Sequence, residues 1–194
     1  PGAVQPEPGT PPVRFRSAVL ALAYDAAAER VSFEQINVQS RTLRFSATGQ
    51  AFLREMEGGF PAVVDAQIAV SDMRVDPDGV FEAPVGFSDG QADLQLRLDP
   101  LTLAIGQVTL SEDAQRLRAF GRIAARPDGW EVALDTMVNE VDRERLIALW
   151  PVSVAGKTRE WLSENVFTAK LSDVKAAVRL RPDEEPRFGL TYEF

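Results

Sequence analysis

Carboxylates are the only side chains in this sequence suited to general acid or base work. The 194 residues include no histidine and no cysteine. That removes Ser-His-Asp and Cys-His nucleophiles, zinc-histidine motifs and thiolate metal sites together. Among the acids, Asp76 and Asp78 flank Pro77, and Asp128 precedes Gly129. A glycosidase-type pair would have to face across a cleft at about 5–9.5 Å. The competing reading is that they form turns, because an aspartate bonds its own nearby backbone, and it is preferred here. Asp72, Asp76 and Asp78 lack the glycine and the later glutamate of a calcium loop. Asp25 and Asp99 are read as strand-end turn formers, since Ala26-Ala27-Ala28 and Pro100 follow them directly. No catalytic residue, metal ligand or cofactor is assigned, and a non-enzymatic role is expected.

Charge narrows the partners. Lys and Arg number 21 against 29 Asp and Glu, a net charge of −8. Nucleic-acid binding needs clustered cations, and so does capture by anionic lipid head groups; neither is expected. Arg41, Arg44, Arg116, Arg118, Arg122 and Arg126 alternate with apolar residues, which reads as a solvated outer face. The absence of cysteine leaves the compartment open. No stretch reaches the roughly 18–20 apolar residues of a spanning helix, since the most apolar run, Ala18–Tyr24, stops at Asp25. The chain opens on Pro1 rather than Met, so we expect a processed or excised piece whose anchor or signal lay upstream.

The elements that must position any site are mostly strands. Residues 1–13 are rich in Pro and Gly and read as an extended linker; residues 14–194 form the folded segment. There the apolar residues recur with period two. Leu94, Leu96 and Leu98 alternate with Asp93, Gln95 and Arg97. Val174, Ala176, Val178 and Leu180 form a second such series, and Phe188, Leu190, Tyr192 and Phe194 a third. Such alternation marks antiparallel strands with one wet face, and Pro-Asp turn chemistry after Asp76, Arg126 and Arg181 separates the runs.

The pattern also repeats, with copies near 18–53 and 92–126. Leu20, Leu22 and Asp25 align with Leu94, Leu96 and Asp99 at an offset of 99 − 25 = 74, and the rest of the copy aligns at 121 − 49 = 72. The apolar phase slips between Phe33 and Ile36 and again between Ile105 and Val108, which predicts a β-bulge at matched places. Gly49 and Gly121 also match, and glycine within a strand marks a bend or a close backbone approach. Helical spacing is confined to 142–166: Asp142 caps Arg143–Trp150, and a second helix covers Lys157–Val166. Trp150 and Trp161 are expected to pack this insert onto the sheet.

One feature is collective. Leu94, Leu96, Leu98, Leu117, Val132, Leu134, Val178, Leu180, Leu190 and Tyr192 would line one face of a sheet for which little helix is available as cover. Such a face must be buried against a second sheet, the insert, itself or a ligand. From these residues alone the choice between a closed β-sandwich core and an open groove stays open.

The run Leu146-Ile-Ala-Leu-Trp-Pro151 followed by Lys157-Thr-Arg-Glu-Trp-Leu162, then a strand from Ala169 to Val174, resembles the AsmA-like proteins of Gram-negative bacteria, particularly the YhdP type. The meander segments Phe45-Ser-Ala-Thr-Gly49, Leu117-Arg-Ala-Phe-Gly121 and Pro127-Asp-Gly-Trp130 are similar to that family's repeated strands. The resemblance implies a curved, extended antiparallel sheet with an apolar groove. It also implies a periplasmic location, an inner-membrane anchor absent from this chain, and phospholipid or another acyl-chain lipid as partner. The alternative function is a non-catalytic β-sandwich binding or adhesion module with a closed core. Oligomeric state is left unassigned.

Overall fold

The computed structural model describes residues 2–4, 13–76, 79–168 and 170–193. Two short strands, β1 (Gly2–Val4) and β2 (Val13–Phe15), pair with each other. Both ends of the segment expected to be a linker therefore form a ladder. Its middle lies outside the described residues, as do Pro77, Asp78, Ala169 and Phe194.

The body is one ten-stranded antiparallel sheet, not closed into a barrel, in which every strand pairs with its neighbours in sequence. In order these are β3 (Ser17–Asp25), β4 (Arg30–Gln39), β5 (Leu43–Glu57), β6 (Phe60–Val75), β7 (Val85–Leu98), β8 (Leu101–Glu112), β9 (Gln115–Arg126), β10 (Gly129–Asp142), β11 (Lys170–Leu180) and β12 (Arg187–Glu193). Short turns join most of these strands into a meander; the β6–β7 and β10–β11 connections are longer. Asp25 closes one of them by accepting from the amides of Ala27 and Ala28 at 3.1 and 3.2 Å.

The repeat is visible in the ladder. Pairing shifts between Phe33 and Ile36 and, 72 positions on, between Ile105 and Val108, so the matched bulges are present. A second matched shift lies at Ala21/Leu22 and Asp93/Leu94. Leu22 opposes Phe33, and Leu94 opposes Ile105. Both copies therefore superpose at 72 throughout. The offset of 74 for the first strand is corrected, and with it the equivalence of Asp25 and Asp99. The period-two pattern had concealed a two-residue slide, because shifting by two keeps every side chain on its own face.

Gly49 and Gly121 mark where the backbones of neighbouring strands approach most closely. A Cβ on Gly49 would lie 2.2 Å from the Gln67 carbonyl oxygen, and one on Gly121 would lie 2.0 Å from that of Ala133. No other residue permits that approach of backbone to backbone.

The helical insert between β10 and β11 contains α1 (Arg143–Leu149) and α2 (Gly156–Asn165). Asp142 caps α1 as its spacing predicted, accepting from the Arg145 amide at 2.8 Å. Asp142→Ala should cost about 1 kcal/mol, read as faster amide exchange over 143–149 with β3–β7 unchanged. Trp150 is 8% exposed and donates from its indole Nε1 to the Val154 carbonyl. Trp161 is 57% exposed, which corrects its expected packing role. Helix α2 buries none of its residues, so its spacing of Thr158, Trp161, Leu162 and Asn165 does not mark an inward stripe.

Candidate functional site

Residues directly opposite each other in an antiparallel ladder point to the same side of the sheet, so the register assigns the faces. One row crosses all ten strands: Leu22, Phe33, Gly49, Ile68, Ala92, Val108, Ala119, Thr136, Ala176 and Leu190. A second runs from Tyr24 through Val31, Ala51, Ala66, Leu94, Ile105, Gly121, Leu134 and Val178 to Phe188. A third links Leu53, Val64, Leu96, Leu103, Ile123, Val132 and Leu180. A fourth links Leu20, Ile36, Ala47, Val70, Gly90, Leu110, Leu117, Val138 and Val174. In these rows Thr136 alone is neither aliphatic, aromatic nor glycine, and its hydroxyl is committed to the Ala176 carbonyl at 3.2 Å.

All ten candidate lining residues fall on this side. Seven belong to the rows just given apart from Leu190: Leu94, Leu96, Leu117, Val132, Leu134, Val178 and Leu180. Leu98 opposes Leu101 two positions beyond Leu96, and Tyr192 stands two positions beyond Leu190. None of the ten is buried: those seven are half-buried, while Leu98, Leu190 and Tyr192 are 43, 38 and 46% exposed. Among the described residues the only other sheet is the β1–β2 pair, so no second ten-stranded layer seals the face. Nine strand spacings and four rows span roughly 43 Å by 20 Å. That exceeds the apolar patches of a few hundred Å² tolerated on soluble monomers.

Large buried side chains collect at one margin only. Val138, Val141, Leu171 and Val174 form one cluster with Leu146 of α1 against it. Val85, Phe87 and Leu110 form another, touched by Leu149. Apart from Trp150 of the insert, the remaining buried apolar residues are alanines and Val63.

The opposite face is mostly polar, with Phe52, Val63, Phe120 and Met137 set among its charged and amide side chains, and five of the six arginines read as an outer face supply part of it. By register Arg44, Arg116, Arg118, Arg122 and Arg126 point away from the apolar rows; Arg41 lies in the β4–β5 turn. Ion pairs cross this surface between strands, as from Arg97 to Glu55 at 3.1 Å and from Arg179 to Asp135 at 2.7 Å. Gln95 donates to Asp65 at 2.9 Å.

Glu131 lies between two arginines. It accepts from Arg126 Nε and Nη2 at 2.9 and 2.6 Å, and Arg181 lies 3.8 Å away. The Arg126 hydrogen bond, aided by the charges of Arg126, Arg181 and Arg122 and opposed by desolvation, holds its carboxyl below the usual range. A depressed folded-state pKa stabilises the fold above the unfolded value, and that stabilisation is lost as pH falls through the folded value. Urea midpoints should therefore fall on the acid side of the ordinary glutamate range, and Glu131→Gln should flatten that part of the profile.

The carboxylates gather elsewhere. Glu112, Asp113, Glu140, Asp142 and Glu144 border a shallow depression beside α1, together with Arg145 and Lys170. Within it Lys170 pairs with Glu140 at 2.5 Å, and Asp142 caps the helix. No three acids converge at metal-binding spacing among the described residues. Asp128 sits in the β9–β10 turn, and Asp78 lies outside the described residues. No described helix is long and apolar enough to cross a membrane. The chain matches no family model, no curated protein and no solved structure.

Proposed function

We propose that this chain is a segment of a periplasmic, inner-membrane-anchored protein that binds or conducts phospholipid acyl chains along the apolar face of its sheet. The carrying observation is the set of cross-strand rows, which cross all ten strands and face no second sheet, with α1 covering only one margin. Each methylene withdrawn from water contributes about 0.8 kcal/mol, so some fifteen of them give about 12 kcal/mol. A continuous apolar surface supplies that stabilisation without a reactive group. The acidic balance and the polar opposite face support the same reading. They keep the molecule soluble and leave recognition to the hydrocarbon rather than to an anionic head group.

The closed β-sandwich alternative draws no support from any described element, because its second sheet would have to cover these rows. Native mass spectrometry after incubation with phosphatidylethanolamine/phosphatidylglycerol vesicles tests the proposal. Adducts of phospholipid mass are expected. Bare protein at every lipid concentration would reject the function.

A further inference from the structure

The helical insert and the apolar rows meet, and the way they meet carries a second conclusion, which rests on the acyl-chain reading above. Val138 and Val174, beneath Leu146, belong to the same row as Leu110, Leu117 and Ile36. The surface under α1 is thus a continuation of the open face, not a separate core.

Burial is lopsided across this contact. On the sheet side Val85, Phe87, Leu110, Val138 and Val174 are buried, whereas neither helix buries a single residue. The cover is also fastened mainly at its margin. Arg145 donates to the Gly86 carbonyl at 2.7 Å and lies over the Phe87 ring at 5.1 Å. Beyond α1 the Val152 amide donates to the Val80 carbonyl at 2.8 Å, and Arg159 pairs with Glu82. The insert therefore straps across from the β10–β11 connection to the β6–β7 connection. Helix α2 is preceded at its N-cap by Ala155, a left-handed residue that offers no side-chain cap. Segments with few buried contacts are the first to open.

We propose that the stretch of sheet beneath α1 is a further acyl-chain subsite, and that Leu146 and Leu149 occupy it in place of lipid until the insert is displaced. Val85, Phe87, Leu110, Leu117, Val138 and Val174 would then take the hydrocarbon that reaches this margin. Displacement exchanges one apolar contact for another, so the equilibrium responds to lipid concentration.

Because the chain has no cysteine, a single engineered pair can lock the strap. The Val152 amide donates to the Val80 carbonyl at 2.8 Å, which makes these two positions the pair of choice for a disulfide, a link that spans roughly 4.4–6.8 Å between Cα atoms. In Val80→Cys/Val152→Cys, uptake of a pyrene-acyl phosphatidylglycerol from phosphatidylethanolamine/phosphatidylglycerol vesicles should be at least about tenfold slower oxidised than reduced. Arg159→Ala with Glu82→Gln, which loosens the same strap, should accelerate uptake. Hydrogen exchange supplies a readout independent of the disulfide: saturating lipid should speed exchange at 143–149 while slowing it in β9 and β10. Equal uptake by the oxidised and reduced forms, or exchange at 143–149 slowed by lipid, would overturn the displaceable cover and leave the groove standing. No uptake by any form, wild type included, would overturn both.

Discussion

Leu134→Asp should strip bound phospholipid from the protein while leaving its sheet intact. Leu134 lies in a row with Leu94, Ile105 and Val178, half-buried and with no second layer above it. Losing its partial burial costs about 1–2 kcal/mol of stability. A carboxylate held against hydrocarbon costs about 3 kcal/mol, which corresponds to roughly a hundredfold in affinity. The matched control is Ala133→Asp, one residue away and on the other face. There the new carboxylate would stand opposite Arg122 and Arg179, so lipid occupancy should be unchanged. Occupancy is read by native mass spectrometry, and urea unfolding checks that each variant is folded. Equal lipid loss from both would mean that the apolar rows are not the binding surface.

Gly121→Ala should be the most destabilising single methyl in the molecule. The new Cβ would sit 2.0 Å from the Ala133 oxygen, and that oxygen belongs to a ladder strand with no freedom to retreat. Its φ of +151° also lies where side-chain-bearing residues are rare. Relief requires parting β9 from β10, for a cost of about 3 kcal/mol or more. Gly189→Ala is the contrast: the added methyl meets nothing nearer than the Ala177 Cβ at 3.8 Å. It should be neutral or stabilise by about 0.4–1 kcal/mol, because alanine narrows the unfolded ensemble. Urea midpoints measure both.

Much of this architecture is legible in the residues because a strand's side chains alternate strictly. Leu94, Leu96 and Leu98 identify their own face, and the phase slips at Phe33/Ile36 and Ile105/Val108 identify the bulges without any tertiary information. The candidate lining set comes out on one face for the same reason. The logic fails where structure depends on distant partners. Nothing local to Val80 or Glu82 indicates that Val152 and Arg159 will reach them, so the strap is not legible in the sequence. Trp161 illustrates the opposite error, since helical spacing implies a buried side only when something stands opposite to cover it. The repeat offset shows a third limit: alternation fixes a face but not a position along it, so a slide of two residues is silent.

The central claim is that hydrocarbon lies against one side of this sheet, and site-directed photocrosslinking tests it most directly. Benzophenone side chains placed at Leu134 and, separately, at Ala133 differ in face but hardly in position. After incubation with phosphatidylethanolamine/phosphatidylglycerol vesicles and irradiation, phospholipid should be covalently attached at 134 and absent at 133. Attachment at both positions alike, or at neither, would contradict the claim.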